Sequence, residues 1–313
     1  QDFHLRQKHF LFMPTPQLKY LGLRSNQIEG SFDDLTSLVQ LETLDLGSNR
    51  IESIPENIGC LTELKVLHLD ENQISKIPSC IGELTHLEIL SLIRNPFEYL
   101  PESIGELRKL KRFYIGACKL TALPHNIGHL TELRELYIND NQLSSLPESI
   151  GNLKNLEKIS VAGNKLETIP HFLGQLIQLQ ELDLQHNKIT GFAPNIIFPE
   201  QLKTLDLSHN QLINLPESLG SPSQLQILYL SYNKLTKLPQ NIGFLSHLEA
   251  LQLDCNQLNE LPKTIGQLSK LVTLNLNYNK VSQLPESIGN LKQLELLNLE
   301  NNQLTYLPAS IKL

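Results

Sequence analysis

Apolar residues recur along this chain in one fixed phase instead of the mixed pattern of an ordinary globular domain. In the segment LETLDLGSNRIESIPENIGCLTE, which begins at Leu41, single polar residues separate the leucines, and the same spacing returns every 23 residues as LxxLxLxxNxLxxLPxxIGxLxx. An Asn closes the first half of each copy, except where Cys replaces it. The thirteen closing residues are Asn26, Asn49, Asn72, Asn95, Cys118, Asn141, Asn164, Asn187, Asn210, Asn233, Asn256, Asn279 and Asn302. Such a period indicates a repeat array and not two separate domains.

Each part of the repeat predicts a local structure. The alternation in Leu44-Asp45-Leu46 is typical of a short strand with its leucines pointing inward. The Ile54-Pro55 step ends the strand side, because proline fixes φ and lacks an N–H, and Pro occupies this place in eleven of the thirteen repeats. The segment from Ile58 to Leu61 has apolar residues at helical spacing and predicts a short helix or 3₁₀ turn.

The closing residues and the stacking of repeats predict the architecture. A buried Asn can bond backbone groups of its own and the next repeat, and Cys118 should be a weaker substitute. No repeat can bury its apolar face alone, so neighbours must stack. We expect an α/β solenoid with a parallel sheet on the concave side and short helical or 3₁₀ turns on the convex side. At about 4.8 Å per strand the concave arc would be roughly 60 Å long and curved into a horseshoe.

These repeats resemble the 23-residue class of leucine-rich repeats. Two segments carry the likeness most directly, LPESIGELRKL at Leu100 to Leu110 and LPESIGNLKNL at Leu146 to Leu156. Repeats of this type are seen in intracellular Ras-group scaffolds of animals and plants, and in proteins that pathogenic bacteria secrete or inject into host cells. The resemblance implies a leucine-rich-repeat horseshoe that binds proteins, without catalytic residues or a cofactor. The motif is structural, so no partner-contacting residue carries over from it.

The ends and one internal repeat depart from the consensus. We expect residues 1–17 to form a degenerate N-terminal cap, in which Leu5, Phe10, Leu11 and Phe12 cover the first repeat. Residues 18–313 form the leucine-rich-repeat domain, whose last repeat is incomplete at Leu313. Because the chain starts with Gln and stops inside a repeat, we expect a fragment or a processed form. The eighth repeat reads GFAPNIIFP from residue 191 and loses the Ile-Gly step, which predicts a local variation on the convex side.

Charge and cysteine content narrow the environment and the partner. The net charge is -7 and the pI about 5.8, which argue against nucleic acid or an anionic membrane as the main partner. No apolar run approaches the roughly 18–20 residues of a membrane span, so no membrane insertion is expected. The cysteines, Cys60, Cys80, Cys118 and Cys255, are dispersed, unlike disulfide-bonded caps. We therefore expect free thiols in a reducing, cytoplasmic environment, the host cytosol for an injected protein, with secretion as the alternative. We also expect the protein to be a monomer.

The repeat phase also predicts which side chains face a partner. The exposed strand-face positions should be those six, four, two and one residues before each closing residue. Six of the eight tyrosines occupy them and none occupies a core position. Aromatic and Arg side chains are typical of binding hot spots, although β-propensity alone also favours Tyr and Ile in strands. The predicted partner-binding residues form two patches: Val66, His68, Ile89, Ile93, Arg94, Arg112, Tyr114 and Tyr137 in the first, and Ile227, Tyr229, Tyr232, Gln252 and Tyr278 in the second.

An acidic stretch lies between the two patches. It contains Glu181, Asp183 and Asp206, flanked by His186 and His209. The partner that would fit is a protein with a basic centre and apolar shoulders.

The sequence offers little support for a catalytic or metal-binding site. Both of these aspartates and the two histidines lie on adjacent predicted strands about 5 Å apart, so a metal site is conceivable. No supporting residues can be identified from the sequence, and we expect no metal site. The sequence HNIGH at residues 125–129 lacks the Glu of a zinc-protease motif. Cys118 should be buried, and Cys255 should be a free surface thiol without a His partner.

Three functional hypotheses follow. The chain is a bacterial effector or secreted protein that engages a host protein through its concave face. Alternatively, it is an endogenous intracellular scaffold that regulates GTPase or phosphatase signalling, or the recognition domain of a longer enzyme. No motif names the partner, because solenoid specificity resides in variable surface residues.

Overall fold

The computed structural model of the chain describes residues 17–312 and contains two compact units, Gln1–Leu133 and Arg134–Leu313. The cap predicted for residues 1–17 lies, apart from Gln17, outside the described residues. Both units are stacks of the predicted repeat. The first holds repeats one to five, and the second holds the strands of repeats six to thirteen.

The first unit has one short strand per repeat in a parallel array. These strands are Tyr20–Gly22, Thr43–Asp45, Val66–His68, Ile89–Ser91 and Arg112–Tyr114. The register is a shift of one full repeat, so that Leu44 pairs with Leu67 and Leu67 with Leu90. A second, two-residue pair joins Glu29–Gly30 to Arg50–Ile51. The repeated Leu positions therefore fall in columns, as the phase predicts.

The second unit follows the same plan with eight strands. They are Glu135–Tyr137, Lys158–Ser160, Glu181–Asp183, Thr204–Asp206, Ile227–Tyr229, Ala250–Gln252, Thr273–Asn275 and Leu296–Asn298. Each pairs in parallel with its neighbour at the same one-repeat shift. Thr168–Ile169 and Gly191–Phe192 form a further short pair.

Short 3₁₀ helices form the other side of both stacks, which confirms the prediction from the Ile-Gly segment. In the first unit they are Asp33–Ser37, Ile58–Cys60, Ser79–Glu83, Glu102–Glu106 and His125–His129. In the second they are Glu148–Asn152, His171–Gln175, Glu217–Gly220, Gln240–Phe244, Lys263–Gln267, Glu286–Asn290 and Ala309–Lys312. The eighth repeat has none, as its lost Ile-Gly step predicts. No helix within residues 17–312 is long and apolar enough to cross a membrane.

The glycine of the Ile-Gly step lets neighbouring 3₁₀ helices approach closely. A Cβ on Gly220 would lie 2.2 Å from the carbonyl oxygen of Asn241, and one on Gly266 would lie 2.2 Å from that of Ser287. Any side chain there would force the repeats apart. In the eighth repeat a Cβ on Gly191 would meet nothing within 4 Å.

The closing asparagines satisfy the backbone groups that the turn leaves unpaired. Asn210 donates from Nδ2 to the carbonyl oxygens of Leu207 at 3.1 Å and Leu184 at 3.0 Å, and its Oδ1 accepts the N–H of Ile189 at 3.0 Å. The partner is the preceding repeat, so the prediction of a bond to the next repeat is wrong. The N–H of Ile189 points toward the following repeat, and that repeat's asparagine reaches back to meet it.

The residue just before each closing residue adopts a left-handed backbone conformation in all thirteen repeats. The φ values run from 51° at Tyr278 to 64° at Gly163, and Gly163 is the only glycine in the series. Left-handed geometry costs a non-glycine residue about 1–2 kcal/mol. Arg94, His186 and Tyr232 all adopt this conformation. Large side chains therefore occur at this position, at the edge of the strand face, despite the conformational cost.

Candidate protein-binding surface

All sixteen predicted partner-binding residues are at least partly accessible. Arg94, Arg112, Tyr232 and Tyr278 are exposed, and the other twelve are half-buried. All eight tyrosines are likewise accessible, and Leu136, Leu228 and Leu230, which alternate with Tyr137 and Tyr229, are buried. The sixteen residues therefore lie on an accessible side of the strands, although Ser91, Ser160 and Ser208, at the same repeat positions, are buried. Partner contact at the sixteen residues stays a prediction.

The first patch is contiguous within the first unit. Val66 pairs in register with Ile89, and Ile89 with Arg112. His68 pairs with Ser91, which pairs with Tyr114. Tyr137, also predicted for this patch, belongs to the second unit, where burial raises the pKa of its hydroxyl.

Charges on the strand face of the first unit are balanced by ion pairs within the unit. The guanidinium of Arg24 contacts the carboxylates of Asp45 at 3.3 Å and Asp70 at 2.5 Å. Arg94 pairs with Glu71 at 2.7 Å. Three acidic and three basic side chains occupy the strand-face positions of this unit, the third cation being Arg112. This surface has no excess charge with which to attract a partner.

A column of alternating charge runs beside these strands, seven residues before each closing residue. Glu42 lies between Lys19 and Lys65, each at 2.7 Å. Hydrogen bonds from these two ammonium groups, Lys19 first, lower the pKa of Glu42 to about 2. Lys111 and Glu88 continue the alternation at 2.8 Å. The column favours a one-repeat register over a two-repeat register, since a two-repeat shift would place like charges together.

The second unit carries a row of stacked rings at its left-handed positions. The rings of His186 and His209 lie face to face with centroids 4.0 Å apart, and those of His209 and Tyr232 lie 4.3 Å apart. The next two repeats place Cys255 and Tyr278 at the same position. Tyr232 is 51% exposed and Tyr278 57% exposed. We call these five side chains the ring row.

The ring row also has distinctive electrostatics. Burial lowers the pKa of His209, and the charge that His186 would carry lowers it further. A hydrogen bond with the Cys255 thiol raises the pKa of the Tyr232 hydroxyl. The 23-residue spacing of these residues is visible in the sequence, but the stacking of their rings is not. From the sequence, the histidines are expected beside the acidic stretch and the tyrosines in the second patch.

The strand face beside the ring row is strongly acidic. Lys158 is the only Lys or Arg at the strand-face positions of this unit. Seven carboxylates share those positions: Glu135, Asp140, Glu181, Asp183, Asp206, Asp254 and Glu300. Lys158 pairs with Glu181 at 2.6 Å. Carboxylates therefore outnumber Lys and Arg at these positions by seven to one.

Two of the predicted acidic residues face each other directly. Asp183 and Asp206 are register partners on adjacent strands, where like charges are destabilising. Asp183 accepts hydrogen bonds from the Ser160 hydroxyl at 2.8 Å and from the Gln185 N–H at 3.2 Å. Burial raises the pKa of Asp206, and the charge of Asp183 adds to the effect.

The second patch lies next to this acidic surface. Ile227 and Tyr229 share a strand, and Tyr229 pairs in register with Asp206 on one side and Gln252 on the other. Asp254 follows Gln252 two residues later and accepts hydrogen bonds from Ser231 at 2.5 Å and Asn275 at 3.1 Å. The acidic stretch and the second patch form one continuous surface.

The histidines and cysteines that the sequence offers for metal binding or nucleophilic chemistry are unfavourably placed for either. No group of three or more His, Cys, Asp or Glu side chains within residues 17–312 is placed to hold a metal ion. His186 and His209 present ring faces to each other, not converging nitrogens. Burial raises the pKa of the Cys118 thiol to about 11, which disfavours the reactive thiolate. Cys255 is half-buried, so it is less open than the exposed surface thiol predicted.

The eighth repeat opens a groove on the side of the 3₁₀ helices. Its lining includes Phe192, Ile196, Ile213 and Leu215, and its volume is about 500 Å³. It arises where the 3₁₀ helix is missing and Gly191 leaves open space. The sequence predicted a variation at this point but gave no sign of a groove.

The sequence matches two leucine-rich-repeat family descriptions. The one described as "Leucine rich repeat" matches residues 131–189, 155–212, 177–235, 200–258 and 246–304, more than half of the chain. The one described as "Leucine-rich repeat region" matches residues 11–95 and 56–142. The chain belongs to the leucine-rich-repeat family. Its fold is therefore a leucine-rich-repeat solenoid, a fold that serves generally as a protein-interaction module.

Solved structures of this family resemble the chain closely. A leucine-rich-repeat protein of Leptospira interrogans is 32% identical with a TM-score of 0.72, and the match covers 95% of this chain and 88% of that one. An internalin of Listeria monocytogenes is 26% identical with a TM-score of 0.81, covering 94% of this chain and 84% of that one.

A plant peptide hormone receptor, RGFR1 in complex with RGF2, is 32% identical with a TM-score of 0.81. The match covers 95% of this chain and only 50% of the receptor chain. No curated protein sequence matches the chain significantly.

Proposed function

We propose that this leucine-rich-repeat protein binds a protein partner through its strand face and has no catalytic activity of its own. The observation that carries the proposal is the ring row beside Tyr229. Tyr232 and Tyr278 are more than half exposed, and Tyr232 stacks on the ring of His209, which in turn stacks on that of His186. Aromatic side chains presented on a rigid scaffold are typical of binding hot spots.

We propose further that the chain is a bacterial effector or secreted protein that engages a host protein. The likeness to the Leptospira and Listeria proteins, each matched over more than four fifths of its length, supports this assignment. The described cysteines form no disulfide, which supports a reducing compartment, the host cytosol for an injected protein. We expect it to act as a monomer.

A second candidate is a recognition domain of a longer receptor or enzyme. The match to the peptide hormone receptor, which covers half of that chain, favours it. The complete gene sequence separates the two candidates: a catalytic or membrane-spanning segment in the same reading frame supports the second, and a bacterial secretion signal supports the first.

Capture from bacterial and host-type lysates tests the strand face directly. Wild type is compared with a variant carrying Tyr229→Ala, Tyr232→Ala and Tyr278→Ala. The matched control carries Ile177→Ala and Phe244→Ala, which remove exposed apolar side chains, 57% and 62% accessible, away from the strands of the same unit. We expect the tyrosine variant to lose a partner that wild type and the control both retain. Equal retention by both variants, or loss only in the control, would place the binding site elsewhere.

A further inference from the structure

We propose that the strand face of the second unit binds an extended polypeptide segment carrying two cationic side chains, one at the Asp183–Asp206 pair and one at Asp254. This inference rests on the proposed function and adds the chemistry of the partner. It concerns only the unit Arg134–Leu313.

Negative charge is concentrated on the strand face of the second unit. The overall charge of the chain is -7, and the strand-face positions of the second unit hold seven carboxylates against one lysine. In the first unit the same positions are balanced, and two of the three cations form ion pairs there. The excess charge is therefore concentrated on one surface. A concentrated field of one sign raises the association rate of a partner of the opposite sign.

Three of the carboxylates on this face have hydrogen-bond donors but no counter-ion in the described part of the chain. Among the described residues, Asp183, Asp206 and Asp254 form no ion pair, and they accept hydrogen bonds only from hydroxyl, amide and backbone N–H groups. Asp183 and Asp206 lie directly opposite each other, an arrangement that costs stability without a counter-ion. A guanidinium or ammonium group placed between them would neutralise the repulsion.

Aromatic side chains lie beside both acidic sites. Tyr229 lies on the strand between the two acidic sites, in register with Asp206, and the ring row forms the margin beside them. Exposed aromatic rings attract cations and bury the aliphatic stems of Arg and Lys. The surface therefore combines carboxylates for the charged ends of a partner with rings for its side-chain stems.

The spacing fixes the pattern of the partner. Asp183, Asp206 and Asp254 belong to repeats eight, nine and eleven, which places the centre of the first pair about 12 Å from Asp254 across the strands at about 4.8 Å per strand. Asp254 also stands two residues further along its repeat, about 7 Å, so the full separation is about 14 Å. An extended chain advances about 3.3 Å per residue, so residues four apart are about 13 Å apart on one face. A segment crossing the strands would therefore bind with basic residues about four positions apart.

Selection from a phage-displayed library of random dodecapeptides tests the inference on the full chain. We expect peptides enriched on wild type to carry two Lys or Arg residues about four positions apart. These peptides should bind at least tenfold more weakly to a variant with Asp183→Asn, Asp206→Asn and Asp254→Asn. Asparagine keeps the size and the acceptor oxygen, so this variant should fold, and an unchanged circular dichroism melt checks it.

The outcomes separate this inference from the proposed function. Enriched peptides without basic pairs that still lose binding on Tyr229→Ala and Tyr232→Ala would overturn the cationic partner and leave the strand-face site in place. Peptides that bind the aspartate and tyrosine variants as tightly as wild type would overturn both. Recovery of no peptide from wild type would also count against the inference.

Discussion

Cys118→Asn is expected to stabilise the protein. The Sγ of Cys118 lies 3.5 Å from two carbonyl oxygens, so the thiol keeps weak versions of the donor contacts but offers no acceptor oxygen. The corresponding acceptor in the preceding repeat, Asn95 Oδ1, receives the N–H of Ile74 at 3.0 Å. Phe97 occupies the place of Ile74 one repeat later and is fully buried. Its N–H has no acceptor among the described residues.

The size of the expected stabilisation follows from the unpaired backbone N–H of Phe97. A buried donor left unpaired costs about 1–3 kcal/mol, so an asparagine at position 118 should raise the free energy of unfolding by about that amount. Urea unfolding followed by circular dichroism measures it as a higher midpoint with an unchanged slope. The control, Cys118→Ala, removes the thiol without supplying an acceptor and should not stabilise. A Cys118→Asn protein no more stable than wild type would refute the hydrogen-bond assignment.

Three further predictions concern packing and pH. Leu205→Asp should prevent cooperative folding because it places an unpaired charge at a fully buried site; an unchanged thermal melt would show that the core is misassigned. Gly220→Ala should cost about 1–3 kcal/mol through the clash with the Asn241 carbonyl, while Gly191→Ala should be nearly neutral; equal urea midpoints would contradict the close approach of the 3₁₀ helices. Because the folded state lowers the pKa of His209 below its ordinary 6.5, stability should fall as pH drops through about 6.5, and His209→Phe should lose less stability between pH 7.5 and pH 5; an identical loss in that variant would argue against it.

Much of the fold could be predicted because every repeat solves the same packing problem. The spacing of Leu41, Leu44 and Leu46 is enough to place a strand and its buried side, and Ile58-Gly59 marks the 3₁₀ helix. The reach of the asparagines toward the preceding repeat was not predictable from composition. It depends on the direction in which an N–H points after the turn.

The left-handed backbone conformation before each closing residue could not be predicted from the sequence. Ser, Glu, Arg, Ala, Asp, His, Tyr, Cys and Asn all occupy it, and Gly occurs there once. The conformation is imposed by the stack and not by the local residue, so no residue preference reveals it. The ring row depends on this geometry, because the strained backbone sets the direction of each ring.

The candidate site was predictable in its parts and not in its arrangement. Tyr229, Tyr232 and Asp206 were each placed on the strand face by phase alone. The repeat phase did not show which carboxylates form ion pairs. Arg24 forms ion pairs with Asp45 and Asp70 in the first unit, whereas Asp183 and Asp206 are register partners on adjacent strands.

Site-specific photocrosslinking tests most directly whether the strand face contacts the partner. Benzoylphenylalanine is introduced at Tyr232, in the ring row, or at Phe244, on the 3₁₀ helix Gln240–Phe244 of the same unit. Both positions are exposed and aromatic, so both variants should fold. After exposure to host-type and bacterial lysates and irradiation, we expect a discrete crosslinked protein from the Tyr232 position and none from the Phe244 position. A partner crosslinked only from Phe244 would contradict binding through the strand face.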